Sequence, residues 1–398
     1  MAELTKYETY KPSGINWIEE VPEHWEVKRL KNTCSLIYGE SLAEEIRQDG
    51  VIEVFGSNGK VGEHNISNTS APCIIVGRKG SFGKVNYSYK KVFAIDTTYF
   101  IDDRFTKNQL RWLYYTLDII GLDKLSKDTG VPGLNREDAY NEKLPLPPKP
   151  EQLAIANYLD DQTQKIDQLI ANKKAQVEKL KELRQIEINN AVTKGLNPNT
   201  EMKDSGIEWL GKIPKHWEVK RLKNILLNIN SGDGISNDEL VEDGEIEVYG
   251  GNGVMGYTDK FNSDGKVIII GRVGAKCGVT YLVDKKIWIS DNALQSRTYQ
   301  NYEFVYYLID AMNLNNYANQ NAQPLITGGI LKGLYAALPP KNEQVEIADF
   351  LQQRTTAIDQ LIKNIEAQIE KLQELRKIRI YEAVTGKIKV NAYAEKTA

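Results

Sequence analysis

Between Glu151 and Asn190 apolar residues recur at Ile155, Leu159, Ile166, Leu169/Ile170, Val177, Leu180 and Leu183. Spacings built from three and four residues place them on one stripe of an α-helix. Lys165, Lys174, Glu178 and Lys181 fill the opposite face, and the stretch contains no glycine or proline. Pro147, Pro148 and Pro150 stand just before it, where proline is tolerated, and Gly195 comes just past its end. About 40 residues at roughly 1.5 Å each predict a rod of about 60 Å. That length suits one strand of a coiled coil better than a helix packed on its own domain.

The chain supplies a second strand. Glu343–Tyr381 repeats the pattern: Glu151-Gln152 returns as Glu343-Gln344, Ile166–Ile170 as Ile358–Ile362, and Glu178–Leu180 as Glu370–Leu372, at a constant offset (344 − 152 = 192). Two rods of equal length can cover each other's apolar stripe. If the halves are related by a pseudo-two-fold, the second helix runs back antiparallel to the first.

Ahead of each rod the period shortens. Ile52–Phe55, Cys73–Val76, Lys84–Tyr87 and Val92–Ile95 predict short strands divided by glycine turns, and Ile246–Tyr249, Val267–Ile270, Val279–Leu282 and Ile287–Ser290 repeat them. Helical stretches are expected near Asn108–Asp118 and Tyr302–Ala311. The segment Gly14–Asn32, with Trp17, Pro22, His24 and Trp25, returns as Gly206–Asn224. A repeat of this length outranks any local motif as a guide to architecture. The expected fold is α+β: two repeated mixed α/β domains separated by two long antiparallel helices that form a coiled coil. Residues 1–13 are polar and are expected to be loosely held. The divisions expected are a domain over 1–150, a helix over 151–193, linker and second domain over 194–342, a helix over 343–385 and a tail over 386–398.

With 398 residues, 41% hydrophobic and 26% charged, the chain reads as soluble and globular. A net charge of −3 gives no global signature for nucleic acid, so any such face must be local. Cys34, Cys73 and Cys277 have no paired spacing, as expected of reduced thiols in a cytoplasm. Only three histidines make a His-rich metal site unexpected. His24 and His216 sit beside Trp25 and Trp217, which reads as a structural aromatic cluster, with no acid or nucleophile partner evident in the sequence. No apolar run reaches membrane-spanning length, and the N-terminus has no signal-peptide pattern.

Two glycine motifs resemble nucleotide loops and fail on context. Gly251-Asn-Gly253-Val-Met-Gly256 matches a dinucleotide fingerprint, but the residues after it, Tyr257–Asn262, do not open a helix, so a tight turn is expected. Gly77–Lys84 lacks the spacing and the hydroxyl residue of a phosphate loop. No catalytic constellation emerges.

What remains is a basic surface on glycine-rich loops. Lys60, Arg78, Lys79, Lys84, Lys90 and Lys91 are opposed only by Glu63 in the span from Lys60 to Lys91. The second half offers Lys260, Lys266, Arg272, Lys276, Lys285 and Lys286, diluted by Asp259, Asp264 and Asp284. Small loop residues let backbone approach phosphate, and arginine pairs bidentately with guanine. The candidate DNA contacts are Asn58, Lys60, Arg78, Lys79, Lys84, Asn252, Lys260, Arg272 and Lys276, with the asparagines suited to adenine edges.

Several motifs, in the same order in both halves, carry a resemblance. These are Trp-x4-Pro-x-His-Trp-Glu, the Gly77-Arg78-x-Gly80 and Gly271-Arg272-x-Gly274 turns, and Pro147-Pro148…Glu151-Gln152 with Pro339-Pro340…Glu343-Gln344. Thr129–Leu134 and Gln323–Thr327 add the segments before the helices. Together they resemble the DNA-specificity subunit of type I restriction-modification enzymes over almost the whole chain. The repeat departs where Gly80-Ser-Phe-Gly83 becomes the longer Gly274-Ala-Lys-Cys-Gly278, so side-chain contacts there do not transfer between halves.

The resemblance implies a non-catalytic reader of a bipartite site in double-stranded DNA. Its helices would set the gap and dock two methyltransferase subunits. Those subunits would carry S-adenosylmethionine, leaving no cofactor in this chain, and motor-nuclease subunits would join for restriction. Two other classes remain: a non-enzymatic two-domain scaffold and a stand-alone DNA-binding regulator.

Overall fold

A computed structural model describes residues 5–125, 132–274, 276–319 and 324–390. The chain divides into two compact units, one of Met1–Lys173 with Ala367–Ala398, the other of Lys174–Glu366. Each unit therefore owns part of both long helices.

In unit 1 the strand Cys73–Gly77 is buried along its whole length. Such a strand needs cover on both faces. Ile74 and Val76 join the main core, while Cys73 and Ile75 pack with Val92 and Phe55 on the other side. The sheet order is Ile37–Tyr38, Thr98–Asp102, Cys73–Gly77 and Val85–Ser88, all antiparallel. A second sheet places Ile52–Gly56 between Gly59–His64 and Phe93–Ala94, the last pairing parallel. At the base Glu26–Arg29 pairs antiparallel with Lys143–Leu146.

Unit 2 repeats this order with Leu226–Ser231, Ala293–Thr298, Lys266–Gly271 and Thr280–Asp284, then Gly253–Thr258, Ile246–Gly250 and Trp288–Ile289. Its base pairs Glu218–Arg221 with Tyr335–Leu338. Among the described residues the α-helices are α1 (Leu110–Ile119), α2 (Arg136–Asn141), α3 (Lys149–Lys194), α4 (Tyr302–Ala311), α5 (Gly328–Gly333) and α6 (Lys341–Val384).

The helices α3 and α6 run antiparallel within each unit. In unit 1 Arg376 pairs with Asp167 at 3.0 Å and Lys173 donates to Gln368. In unit 2 Arg184 pairs with Asp359 at 3.1 Å, and Arg354 with Glu187. Adding 192 to Asp167 and Arg184 yields Asp359 and Arg376, so one ion pair becomes the other with the helices exchanged. Ile155, Leu159, Ile166, Ile170 and Val177 are buried as expected of the stripe. Leu169 and Leu183 are not: they are 49% and 41% exposed, because the seam is narrower than the apolar arc.

The repeated Glu-Gln at each helix start is a hydrogen-bonding hub. The Glu151 carboxylate accepts from Trp25 Nε1 at 3.0 Å and from the Tyr7 hydroxyl at 2.7 Å, and meets His24 Nε2 at 2.6 Å. Glu343 does the same with Trp217 and His216. The histidines thus belong to a structural aromatic cluster, but each has an acid partner that the sequence reading did not find. Gln152, 1% exposed, accepts from the Gln109 N–H and donates to the Pro147 carbonyl and Asn108. Replacing it, Gln152→Ala, strands one buried and one half-buried backbone group, and an unfolding cost of about 1–3 kcal/mol is expected. Urea denaturation measures this, and a loss under about 0.5 kcal/mol would mean that the hub contributes nothing to stability.

The polarity of the N-terminal segment suggested a loose chain, but from Thr5 onward it is tied down. Tyr7 is buried, Lys389 N–H donates to the Thr5 carbonyl at 2.7 Å, and the Tyr10 hydroxyl donates to the Gly386 carbonyl. Burial of Val390 and Ile388 in the core with Tyr7 and Trp25 holds both segments together. Met1–Leu4 and residues 391–398 lie outside the described residues. A chain opened at the exposed Asn199, with Ala398 joined to Met1, is therefore expected to fold and keep its specificity. An insoluble product from a well-behaved parent would count against this.

Candidate nucleic-acid interface

The Ile52–Gly56 and Gly59–His64 strands form a hairpin whose turn is Ser57-Asn58. Gly250, Gly251, Asn252 and Gly253 make the corresponding turn in unit 2. The fingerprint-like glycines are therefore tight turns. Gly77–Lys84 links two strands and opens no helix, which disposes of a phosphate loop.

In unit 1 this turn lies against the loop that carries the basic residues. Lys84 Nζ donates to the Asn58 carbonyl at 2.8 Å and to its Oδ1 at 2.9 Å. A Cβ at Gly77 would stand 2.3 Å from the Ser81 carbonyl oxygen, and one at Gly271 only 2.1 Å from that of Gly251. At Gly77 and Gly271 the lack of a side chain serves the protein's own close packing.

Arg78 Nη1 donates to the Asp96 carbonyl at 2.9 Å, and Arg272 Nη1 to the Asp291 carbonyl at 3.2 Å. Both half-buried arginines are thus aimed by one device: strand, glycine, arginine, then a carbonyl across the loop. Lys79 and Lys276 are exposed beside them. Asn252 and Lys276 line one open cavity of about 590 Å³ with Asn292.

Lys60 and Lys260 do not join these clusters as free cations. Lys60 lies between Glu63 at 2.8 Å and Glu53 at 3.2 Å, and the Glu63 bond, followed by that of Glu53, holds its ammonium above the usual range. The sequence showed Glu63 as an opponent; Glu53 arrives only through strand pairing. Lys260 lies beyond the far end of its strand from the turn and pairs with Glu239 at 3.0 Å.

Two residues at the site escaped the sequence reading. Tyr38 packs with both Arg78 and Arg136, each guanidinium 4.9 Å from its ring centre. Their one signal was a lone aromatic and a lone base, 98 residues apart (136 − 38 = 98). Unit 2 has Ser231 at the place of Tyr38 and Gly328 at that of Arg136, so the loops present different chemistry on one frame. Thr129–Val131 and Gln323 lie outside the described residues.

A duplicated α+β domain on an antiparallel helix pair, with an arginine-bearing loop in each copy, defines a two-headed recognition protein. The family model for the type I restriction modification DNA specificity domain matches residues 22–179 and again 214–371. The matched segments are themselves 192 residues apart (214 − 22 = 192). The chain belongs to this family and carries its domain twice. It is 25% identical to the type I restriction enzyme MjaVIII specificity subunit of Methanocaldococcus jannaschii over 428 aligned positions, spanning 93% of this chain and 94% of that one. It is 30% identical to the EcoprrI specificity subunit of Escherichia coli over 132 positions, 32% of this chain and 33% of that one. A chain from a solved structure of the type I R-M system, described for its complex assembly and conformational transition, shares the fold with a TM-score of 0.67 at 14% identity, covering 92% of this chain and 99% of that one.

Proposed function

We propose that this protein is the non-catalytic specificity subunit of a type I restriction-modification complex and reads a bipartite site in double-stranded DNA, one half-site per domain. The observation that carries the reading is the recurrence of the same carbonyl-anchored loop arginine, Arg78 and Arg272, on two copies of one frame. Asn58, Lys79 and Lys84 accompany the first, Asn252 and Lys276 the second. Lys60 and Lys260 act on DNA only by exchanging their carboxylate partners for phosphate. The protein works in the cytoplasm, and among the described residues no helix is long and apolar enough to cross a membrane.

Methyltransferase subunits dock on the helices, bringing S-adenosylmethionine; motor-nuclease subunits join them for restriction. In support, exposed apolar residues recur in matched pairs on α3 and α6: Leu169 with Leu361, Leu183 with Leu375, Ile186 with Ile378. A duplicated apolar surface suits two copies of one partner. Mapping methylated adenines in a host with and without the gene tests the whole reading. No change in any bipartite motif, with the partner subunits expressed, would refute it.

Arg78→Ala is expected to weaken binding of target DNA by the assembled complex by about 1–3 kcal/mol if Arg78 reads a base. The fold loses one exposed hydrogen bond and the stacking of Arg78 on Tyr38, together about 1–2 kcal/mol. Unchanged affinity would remove Arg78 from the site.

A further inference from the structure

The repeat is broken at one well-defined place. In unit 1 the second residue of α1 is Arg111, and its guanidinium is held inside the unit. Its Nε donates to Asp160 on α3 at 2.5 Å and its Nη2 to the Tyr115 hydroxyl at 3.1 Å. The rings of Tyr87, Tyr114 and Tyr115 stand 4.5, 4.8 and 4.9 Å from its central carbon. Planar stacking and a forked donor set make this a site for guanidinium in particular.

In unit 2 the second residue of α4 is Glu303, so the arginine of that position is missing while the two helix tyrosines beside it persist. Tyr306 and Tyr307 replace Tyr114 and Tyr115, with the Tyr307 hydroxyl 3.0 Å from Thr355 as Tyr115 is from Thr163. Gln352 replaces Asp160 and offers its carbonyl oxygen to Tyr307. Leu282 replaces Tyr87, as its pairing with Ile268 shows. All four of these counterparts line a cavity of about 370 Å³, together with Tyr281 and the carboxylate-bearing Glu303. Asp359 and Arg184, also in the wall, pair with each other, and Lys266 pairs with Glu303 from the neighbouring strand. The incoming group would share the Glu303 carboxylate, which has a second oxygen to give.

We propose that this cavity is a binding site for a guanidinium group, supplied as an arginine side chain by a protein partner. What unit 1 carries within its own chain, unit 2 takes from outside. The faces of Tyr281, Tyr306 and Tyr307 supply stacking, and the oxygens of Glu303 and Gln352 accept hydrogen bonds. A lysine ammonium offers no plane to stack and no fork. The cavity borders the candidate DNA-contact turn, since Tyr281 lies against Gly253, but the test reads probe binding without DNA, so its failure is distinguishable from a failure of DNA reading.

The test titrates the full chain with N-acetyl-L-arginine amide, and with the matching lysine amide, while following tyrosine ring signals by NMR. Tyr306→Phe assigns the relevant signal. The arginine probe is expected to shift it saturably and to bind at least about tenfold more tightly than the lysine probe. The double variant Glu303→Arg with Gln352→Asp installs unit 1's own pair and is expected to abolish binding. Glu303→Gln, which perturbs folding least, is expected to weaken it several-fold. Absence of a shift, equal response to lysine, or either folded variant binding as the parent does would overturn the site. Co-purification with the partner subunits then tests the source. Loss of assembly in the double variant supports a partner's arginine; intact assembly in a variant that has lost probe binding overturns that source.

Discussion

A chain in which residues 33–141 are replaced by a second copy of residues 225–333 is expected to direct its methyltransferase partners to a motif made of the second half-site twice, in inverted orientation, with the gap unchanged. The exchange closes because both segments hang on the same base. Segment 33–141 enters and leaves through one strand pair, and the Leu30 N–H donates to the Glu142 carbonyl at 2.8 Å. In unit 2 the Leu222 N–H donates to the Leu334 carbonyl at the same distance. The entering run Glu26–Asn32 is identical to Glu218–Asn224. Gln152 grips a backbone N–H, as Gln344 does, so that bond survives any donor sequence. One clash must be removed: the transplanted copy of Glu303 would share its cavity wall with Asp160 in place of Gln352. Like charges there repel, so Asp160→Gln accompanies the exchange. Long-read mapping of methylated adenines reads the result. Persistence of the first half-site, or loss of all methylation from a folded and assembled complex, would sink independent reading.

Four helix-forming residues inserted after Lys173 and again after Ile365 are expected to widen the unread gap by about two base pairs. The chain crosses between its units twice, between Lys173 and Lys174 and between Glu366 and Ala367. Both crossings fall inside a long helix, so the insertion lengthens each by about 6 Å. That is close to two base pairs at about 3.4 Å. Four residues add a net turn of roughly 40°, against about 70° for two base pairs. The mismatch of about 30° is small enough for loops and DNA to absorb. A heptad extends by about 10.5 Å and turns by about −20°, while three base pairs turn by about +105°. The four-residue insertion should therefore work better, despite breaking the heptad as a stutter. Lys173 and Gln368 both belong to unit 1, so the insertions leave their bond in place. A gap that stays fixed, or a heptad variant that outperforms, would refute the helices as a ruler.

The long helices were legible because a stripe at helical period over about 40 residues has few other uses. The repeat was legible because it is written at one offset. The strands Ile52–Gly56, Cys73–Gly77 and Lys266–Gly271 announced themselves by runs of β-branched residues. Ala293–Thr298 did not: Ala-Leu-Gln-Ser-Arg-Thr becomes a central strand only because Leu226–Ser231 and Lys266–Gly271 flank it.

For the candidate site, local sequence determined the turns and the arginines beside them, since glycine spacing and charge are read residue by residue. Which charges are free was decided by tertiary structure. Glu53 reaches Lys60 across a strand register, Glu239 reaches Lys260 through a folded loop, and Tyr38 meets Arg136 from the far end of the domain. The cavity of unit 2 belongs to the same class. Sequence shows that Arg111 becomes Glu303, but only the packing of α4 against α6 shows that the ring faces and the Gln352 oxygen remain where a guanidinium would sit. Periodicity is a property of neighbours along the chain. Pairing and emptiness are properties of neighbours in space, and they exist only once the fold has closed.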